Sequence, residues 1–131
     1  MSRVMVVEDD VILRMSLAML LTMEGYQVIK AKHGEEALLK LESMGRPCII
    51  ILDLMMPVMD GITFRAEQLK RAAFADVPVI IVTGHEDAKN IAAAVSAHAL
   101  LQKPYKPEQV IDLVKRHCAE GSVGRGCSTG R

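Results

Sequence analysis

Tryptophan is absent from this chain, and aromatic residues make up only 3% of its 131 positions. A surface that stacks on nucleic-acid bases needs aromatic platforms, so that class is disfavoured. Charge of one sign is also lacking. Sixteen basic residues balance sixteen acidic ones, so no long-range field favours DNA, RNA or an anionic membrane. Cysteine is scarce. Cys48, Cys118 and Cys127 are odd in number and widely spaced, which predicts neither a disulfide framework nor a zinc site. Cys48 precedes an apolar run and is expected to serve as a small core residue. No apolar run approaches a membrane span, and the first ten residues, MSRVMVVEDD, turn acidic before any leader-like core develops. A cytoplasmic chain is expected.

Half of the residues are hydrophobic, enough for one sizeable core at this length. The apolar residues fall in short runs: Val4–Val7, Gln27–Ala31, Cys48–Leu52, Val79–Val82 and Ala99–Leu101. Runs apolar throughout, without alternation, suit parallel strands covered on both faces. The segments between them carry helix signals. Asp10 predicts a cap for a helix to Met23, stopped by Gly25. Further helices are expected over Glu35–Met44, Gly61–Ala73, Glu86–Ala97 and Pro107–Cys118, the last opened by proline. Five strand–helix repeats predict a doubly wound α/β domain of three layers. It should occupy residues 1–120. The Gly- and Ser-rich stretch 121–131 is expected to be a disordered tail.

In such a sheet, chemistry gathers beyond the carboxyl ends of the strands. Glu8, Asp9 and Asp10 follow the first run, and Asp53 ends the third. Convergent carboxylates repel unless a cation neutralises them, and an all-oxygen set selects a hard divalent ion, Mg²⁺ or Mn²⁺. Asp10 alone is better read as a helix cap. Asp53 terminates a very apolar strand, where a charge is costly without a task. A carboxylate beside such an ion can attack phosphorus. Thr83 ends the fourth run and Lys103 follows the fifth, so a hydroxyl and an ammonium should reach the same edge.

These residues together resemble the receiver domains of bacterial two-component response regulators. The resemblance rests on VVEDD (Val6–Asp10), ILDLMMPVMDG (Ile51–Gly61), Thr83 in VIIVTG, and Lys103-Pro104. It implies a flavodoxin-like fold with a five-stranded parallel sheet in the order 2-1-3-4-5 and five helices. It implies that Asp53 is the phosphoacceptor, that Glu8, Asp9, Asp53 and the Met55 carbonyl hold the metal, that Thr83 is the switch hydroxyl, and that Lys103 contacts the phosphoryl group. The Lys103–Pro104 bond would be cis. A histidine kinase or histidine phosphotransfer protein would be the donor and an unidentified protein the target, with no nucleic acid or membrane contacted. A weak homodimer stays open. The expectation is a stand-alone receiver that hydrolyses its own acyl phosphate slowly.

Three departures from the family pattern stand out. Leu100 takes the place of an aromatic residue. Ser96-Ala97 stands where Gly-Ala is common. Met55 and His85 occupy positions that govern the approach of water. Leu13, Leu17 and Leu20 form one helical stripe and Met15, Met19 and Met23 another. Either one is exposed to a partner or the helix is buried on most sides. Rival functions fit less well. A phosphatase of the haloacid dehalogenase type would need an acid where Met55 stands. A flavin or nucleotide module would place its phosphate against Glu8, Asp9 and Asp10. A degenerate receiver would lack chemical residues that are present here.

Overall fold

The computed structural model describes residues 2–54, 60–84, 88–94 and 96–118. Each predicted run becomes a strand: β1 (Arg3–Val7), β2 (Gln27–Ala31), β3 (Ile49–Asp53), β4 (Val79–Thr83) and β5 (Ala99–Gln102). All pair in parallel in the order β2-β1-β3-β4-β5. The helices are α1 (Val11–Met23), α2 (Gly34–Met44), α3 (Gly61–Leu69), α4 (Ala88–Ala94) and α5 (Pro107–His117). The expected doubly wound architecture is therefore present.

The β3 and β4 side chains are buried along their whole length, which accounts for their unbroken apolar composition. Alternate residues feed two cores. Met5, Val7, Ile50, Leu52, Val79 and Ile81 pack toward α2, α3 and α4. Val4, Val6, Ile49, Ile51, Ile80 and Val82 pack toward α1 and α5. A one-residue slip of either central strand would exchange these sets.

Helix ends follow local chemistry. The Asp10 carboxylate accepts from the N–H groups of Ile12 and Leu13 at 2.9 and 3.1 Å, as its capping role predicts. At the other end of α1, Gly25 adopts φ 98°. The Tyr26 N–H donates to Leu21 O and the Gly25 N–H to Thr22 O, closing a Schellman turn. α3 stops at Leu69, short of the expected Ala73. The buried Gln68 amide turns outward from the helix pattern and donates to Phe74 O and Val77 O, at 3.0 and 3.1 Å. These bonds hold residues 70–77 in successive turns instead. α4 is also shorter than expected, ending before Ser96, which has φ 57°.

The cysteine expectation is corrected. Cys48 and Cys118 are joined in a disulfide across 70 residues of sequence, with Cα atoms 5.5 Å apart. Spacing along the chain gave no sign of it, because the two meet only when α5 lies back against the start of β3. Cys127, the tail, Met55 and His85 lie outside the described residues.

Candidate functional site

The carboxyl ends of β1, β3, β4 and β5 deliver four side chains to one edge of the sheet. The register sets their depth. Val7 pairs with Leu52, Asp53 with Val82, and Thr83 with Gln102. Glu8 therefore stands beside Asp53, and Thr83 one strand away. Glu8 is 3% exposed, Asp53 4% and Thr83 fully buried, whereas Asp9 faces solvent.

One carboxylate oxygen from each of Glu8, Asp9 and Asp53 lies within 4.8 Å of the others. Two buried carboxylates this close need positive charge nearby. Lys103 supplies part of it. Its Nζ lies 3.3 Å from Glu8 Oε1 and 3.9 Å from Asp53 Oδ1. The position of Lys103 is set by its own N–H, which donates to Thr83 O at 2.9 Å, and the following Pro104 is joined by the expected cis bond. The three-oxygen donor set fits a hard divalent cation. The Met55 carbonyl, named as a further ligand from the resemblance, lies outside the described residues.

Two supports were not anticipated from sequence. Arg14, in the first turns of α1, donates through Nη1 to Glu8 O at 2.8 Å and to Asp9 O at 3.4 Å, fixing the loop that carries both acids. Its place four residues after the cap Asp10 was the available signal. Tyr105 is the second. Burial raises its phenol above the ordinary value, and the negative charges of Glu8 and Asp53 raise it further. The phenol thus lies within the field of the acidic pair.

Gly61 completes the site from below. Its N–H donates to Leu54 O at 3.0 Å. A Cβ there would come within 2.7 Å of Asp53 O and 2.9 Å of Leu54 Cα. Only glycine lets α3 start against the end of β3. Asp60 caps the same helix through the Thr63 N–H at 2.8 Å. Leu100 is half-buried and packs against the α2–α3–α4 side of the core.

The fold defines the class first: a doubly wound, flavodoxin-like α/β domain with a charged cluster at the carboxyl edge of its sheet. The sequence comparisons narrow it. Residues 4–115 match the family model of the response regulator receiver domain, and the chain belongs to that family. It is 35% identical over 116 residues to the positive alginate biosynthesis regulatory protein of Pseudomonas aeruginosa, covering 86% of this chain and 46% of that protein. It is 36% identical over 111 residues to the response regulator MprA of Mycolicibacterium vanbaalenii, covering 83% and 47%. The chain thus spans about half the length of these relatives. Among solved structures, the chemotaxis protein CheY4 of Vibrio cholerae superposes with a TM-score of 0.82 at 31% identity, over 89% of this chain and 98% of that one. The response regulator TrrA of Thermotoga maritima, solved in complex with Mg²⁺ and BeF, superposes with a TM-score of 0.78 at 30% identity, over 88% and 98%.

Proposed function

We propose that this receiver domain accepts a phosphoryl group on Asp53 from a phosphohistidine donor. The observation that carries the proposal is the buried pair of Glu8 and Asp53 with the partly exposed Lys103 against both, and Asp9 beside them. A carboxylate oxygen of Asp53 attacks phosphorus as the P–N bond to the donor histidine breaks, and the departing imidazole keeps the bonding pair. Glu8, Asp9 and Asp53 would hold Mg²⁺, which supplies charge neutralisation at the phosphoryl oxygens. The complex of TrrA with Mg²⁺ and BeF supports that assignment. Lys103 would pair with a phosphoryl oxygen and the Thr83 hydroxyl would donate to another. Slow hydrolysis at Asp53 returns the domain to its resting state.

A histidine kinase or phosphotransfer protein is the donor class, and a cytoplasmic setting follows from that chemistry. Two features of α1 support docking there. Met15, Met19 and Met23 are 54%, 64% and 78% exposed, while Leu17 and Leu21 are core. An apolar cleft of about 600 Å³ lined by Leu13, Leu17, Leu20, Pro104, Tyr105 and Pro107 lies beside Lys103. Thioether-rich surfaces of this kind accept helical partners. The domain is taken as residues 1–120 and the remainder as a tail.

The test is incubation with Mg²⁺ and acetyl phosphate, followed by intact mass measurement. One added phosphoryl group is expected on the native chain, and none on Asp53→Asn or in the presence of a chelator. Phosphorylation that persists in Asp53→Asn would refute the assignment.

A further inference from the structure

The disulfide lies at the amino edge of the sheet, opposite the acidic site. Cys48 immediately precedes β3, and Cys118 caps the end of α5. The two cysteines differ in exposure. Cys118 is fully buried, but Cys48 is half-buried. Cys48 also lines a polar cleft of about 520 Å³ with Arg3, Arg46 and His117. A thiolate approaching Cys48 therefore passes the guanidinium groups of Arg3 and Arg46, the second of them paired with Asp76 at 2.8 Å, and cations favour the thiolate form of an attacking sulfur.

What the bond holds is also defined. α5 buries only Val110 and Val114 along its length, followed by Cys118 at its cap. The Cys118 N–H donates to Val114 O at 2.8 Å. A covalent link thus adds to the contacts of the last turn of α5, where Leu113 packs on the core, Lys115 pairs with Glu24 and His117 meets His98. It also ties that turn to β3, the strand that ends in Asp53.

We propose that Cys48–Cys118 is a thiol–disulfide exchange site, opened by a dithiol reductant, that clamps the end of α5 to the sheet. The reductant thiolate attacks Cys48 Sγ. A mixed disulfide forms, and the Cys48–Cys118 bond breaks with its electron pair on Cys118. That sulfur sits at a helix C-terminus, where negative charge is disfavoured, so it takes up the proton given up by the reductant. The second thiol of the reductant then attacks its partner sulfur and releases Cys48. One protein disulfide is reduced to two thiols, and one dithiol is oxidised to a disulfide. The released end of α5 is then held by noncovalent contacts: Val110 and Val114 in the core, Leu113 packed against it, the Lys115–Glu24 ion pair and the His117–His98 ring contact.

The experiment uses the Cys127→Ser chain, so that no third thiol can shuffle. The folded protein is equilibrated with oxidised glutathione and labelled with a maleimide, with and without prior dithiothreitol. No label is expected before reduction, and both Cys48 and Cys118 should be labelled after it, without denaturant. Reduction should lower the melting temperature by on the order of 10 °C, given the length of chain the link closes. It should also speed amide exchange over residues 114–117. The Cys48→Ser/Cys118→Ser form should melt near the reduced protein and ignore dithiothreitol. The proposal is overturned if both cysteines label without reductant. It is equally overturned if dithiothreitol opens the bond only in denaturant, or if opening leaves melting and exchange unchanged. None of these readouts involves Asp53, so they are separate from the test of phosphorylation.

Discussion

At the scale of single residues, Lys103 is the most informative. It is the cation that the structure places against both Glu8 and Asp53. Removing it leaves two nearly buried carboxylates close together with less positive charge beside them, and stripping the ammonium from such a pair is destabilising. Lys103→Met is expected to lower stability by about 2 kcal/mol in the absence of divalent ions. A bound cation would replace the lost ammonium. Mg²⁺ should therefore raise the melting temperature of Lys103→Met by more than that of the native chain. Equal Mg²⁺ increments in thermal melts of the two proteins would show that Lys103 does not balance this pair. Asp10 shows the opposite case. It belongs to the same acidic run, yet its side chain is spent on capping α1.

At the scale of elements, two connections carry predictions of opposite sign. The β3–α3 connection needs Gly61, because a methyl group there meets backbone atoms that cannot swing aside. Gly61→Ala should cost about 2 kcal/mol in urea unfolding. The end of α4 shows the reverse. The Ser96 N–H donates to Ala93 O and the Ala97 N–H to Ala92 O, the same Schellman pattern that Gly25 makes after α1. Ser96 must hold φ 57° to do so, a conformation that strains a residue with a Cβ. Ser96→Gly should raise stability by about 0.5 kcal/mol, after the added flexibility of the unfolded chain is offset. A loss of stability on this substitution would overturn the argument. The strain persists because Ser96 O is tied by Arg65 Nη2 at 2.9 Å, and Arg65 Nη1 is held by Gln68 at 2.8 Å. The same network ends α3.

At the scale of the whole molecule, stability should depend on pH through His98. Partial burial lowers its pKa below the ordinary value, and the charges of Arg65 and His117 lower it further. Its Nδ1 also accepts from the Val79 N–H at 3.1 Å, a bond only an unprotonated nitrogen can accept. The folded state thus binds the proton less readily than the unfolded chain. Its contribution is present above the ordinary histidine value and is lost as pH falls through the depressed folded value. Urea unfolding followed from about pH 7 to pH 5 should show a decline that is shallower in His98→Phe. An identical slope in both proteins would count against it. The same region joins β5 to α5, where the His98 and His117 rings meet edge to face with centroids 6.3 Å apart.

The periodicity of the chain by itself determined the five strands and the approximate helices, because unbroken apolar runs and caps such as Asp10 and Pro107 are local signals. It also determined that Glu8, Asp9, Asp53, Thr83 and Lys103 would share an edge, since each follows an apolar run in a parallel sheet. Whether the methionine or the leucine stripe of α1 would be buried was decided only by the angle at which the helix lies, which made Leu17 and Leu21 core and left Met19 outside. The early stop of α3 depended on Gln68 finding carbonyls nine or fewer residues ahead, in a turn no periodicity describes. The Cys48–Cys118 link depended on the return of α5 across the whole sheet. Contacts set by local backbone preference can be read along the chain. Contacts between distant segments exist only once packing has fixed where those segments lie.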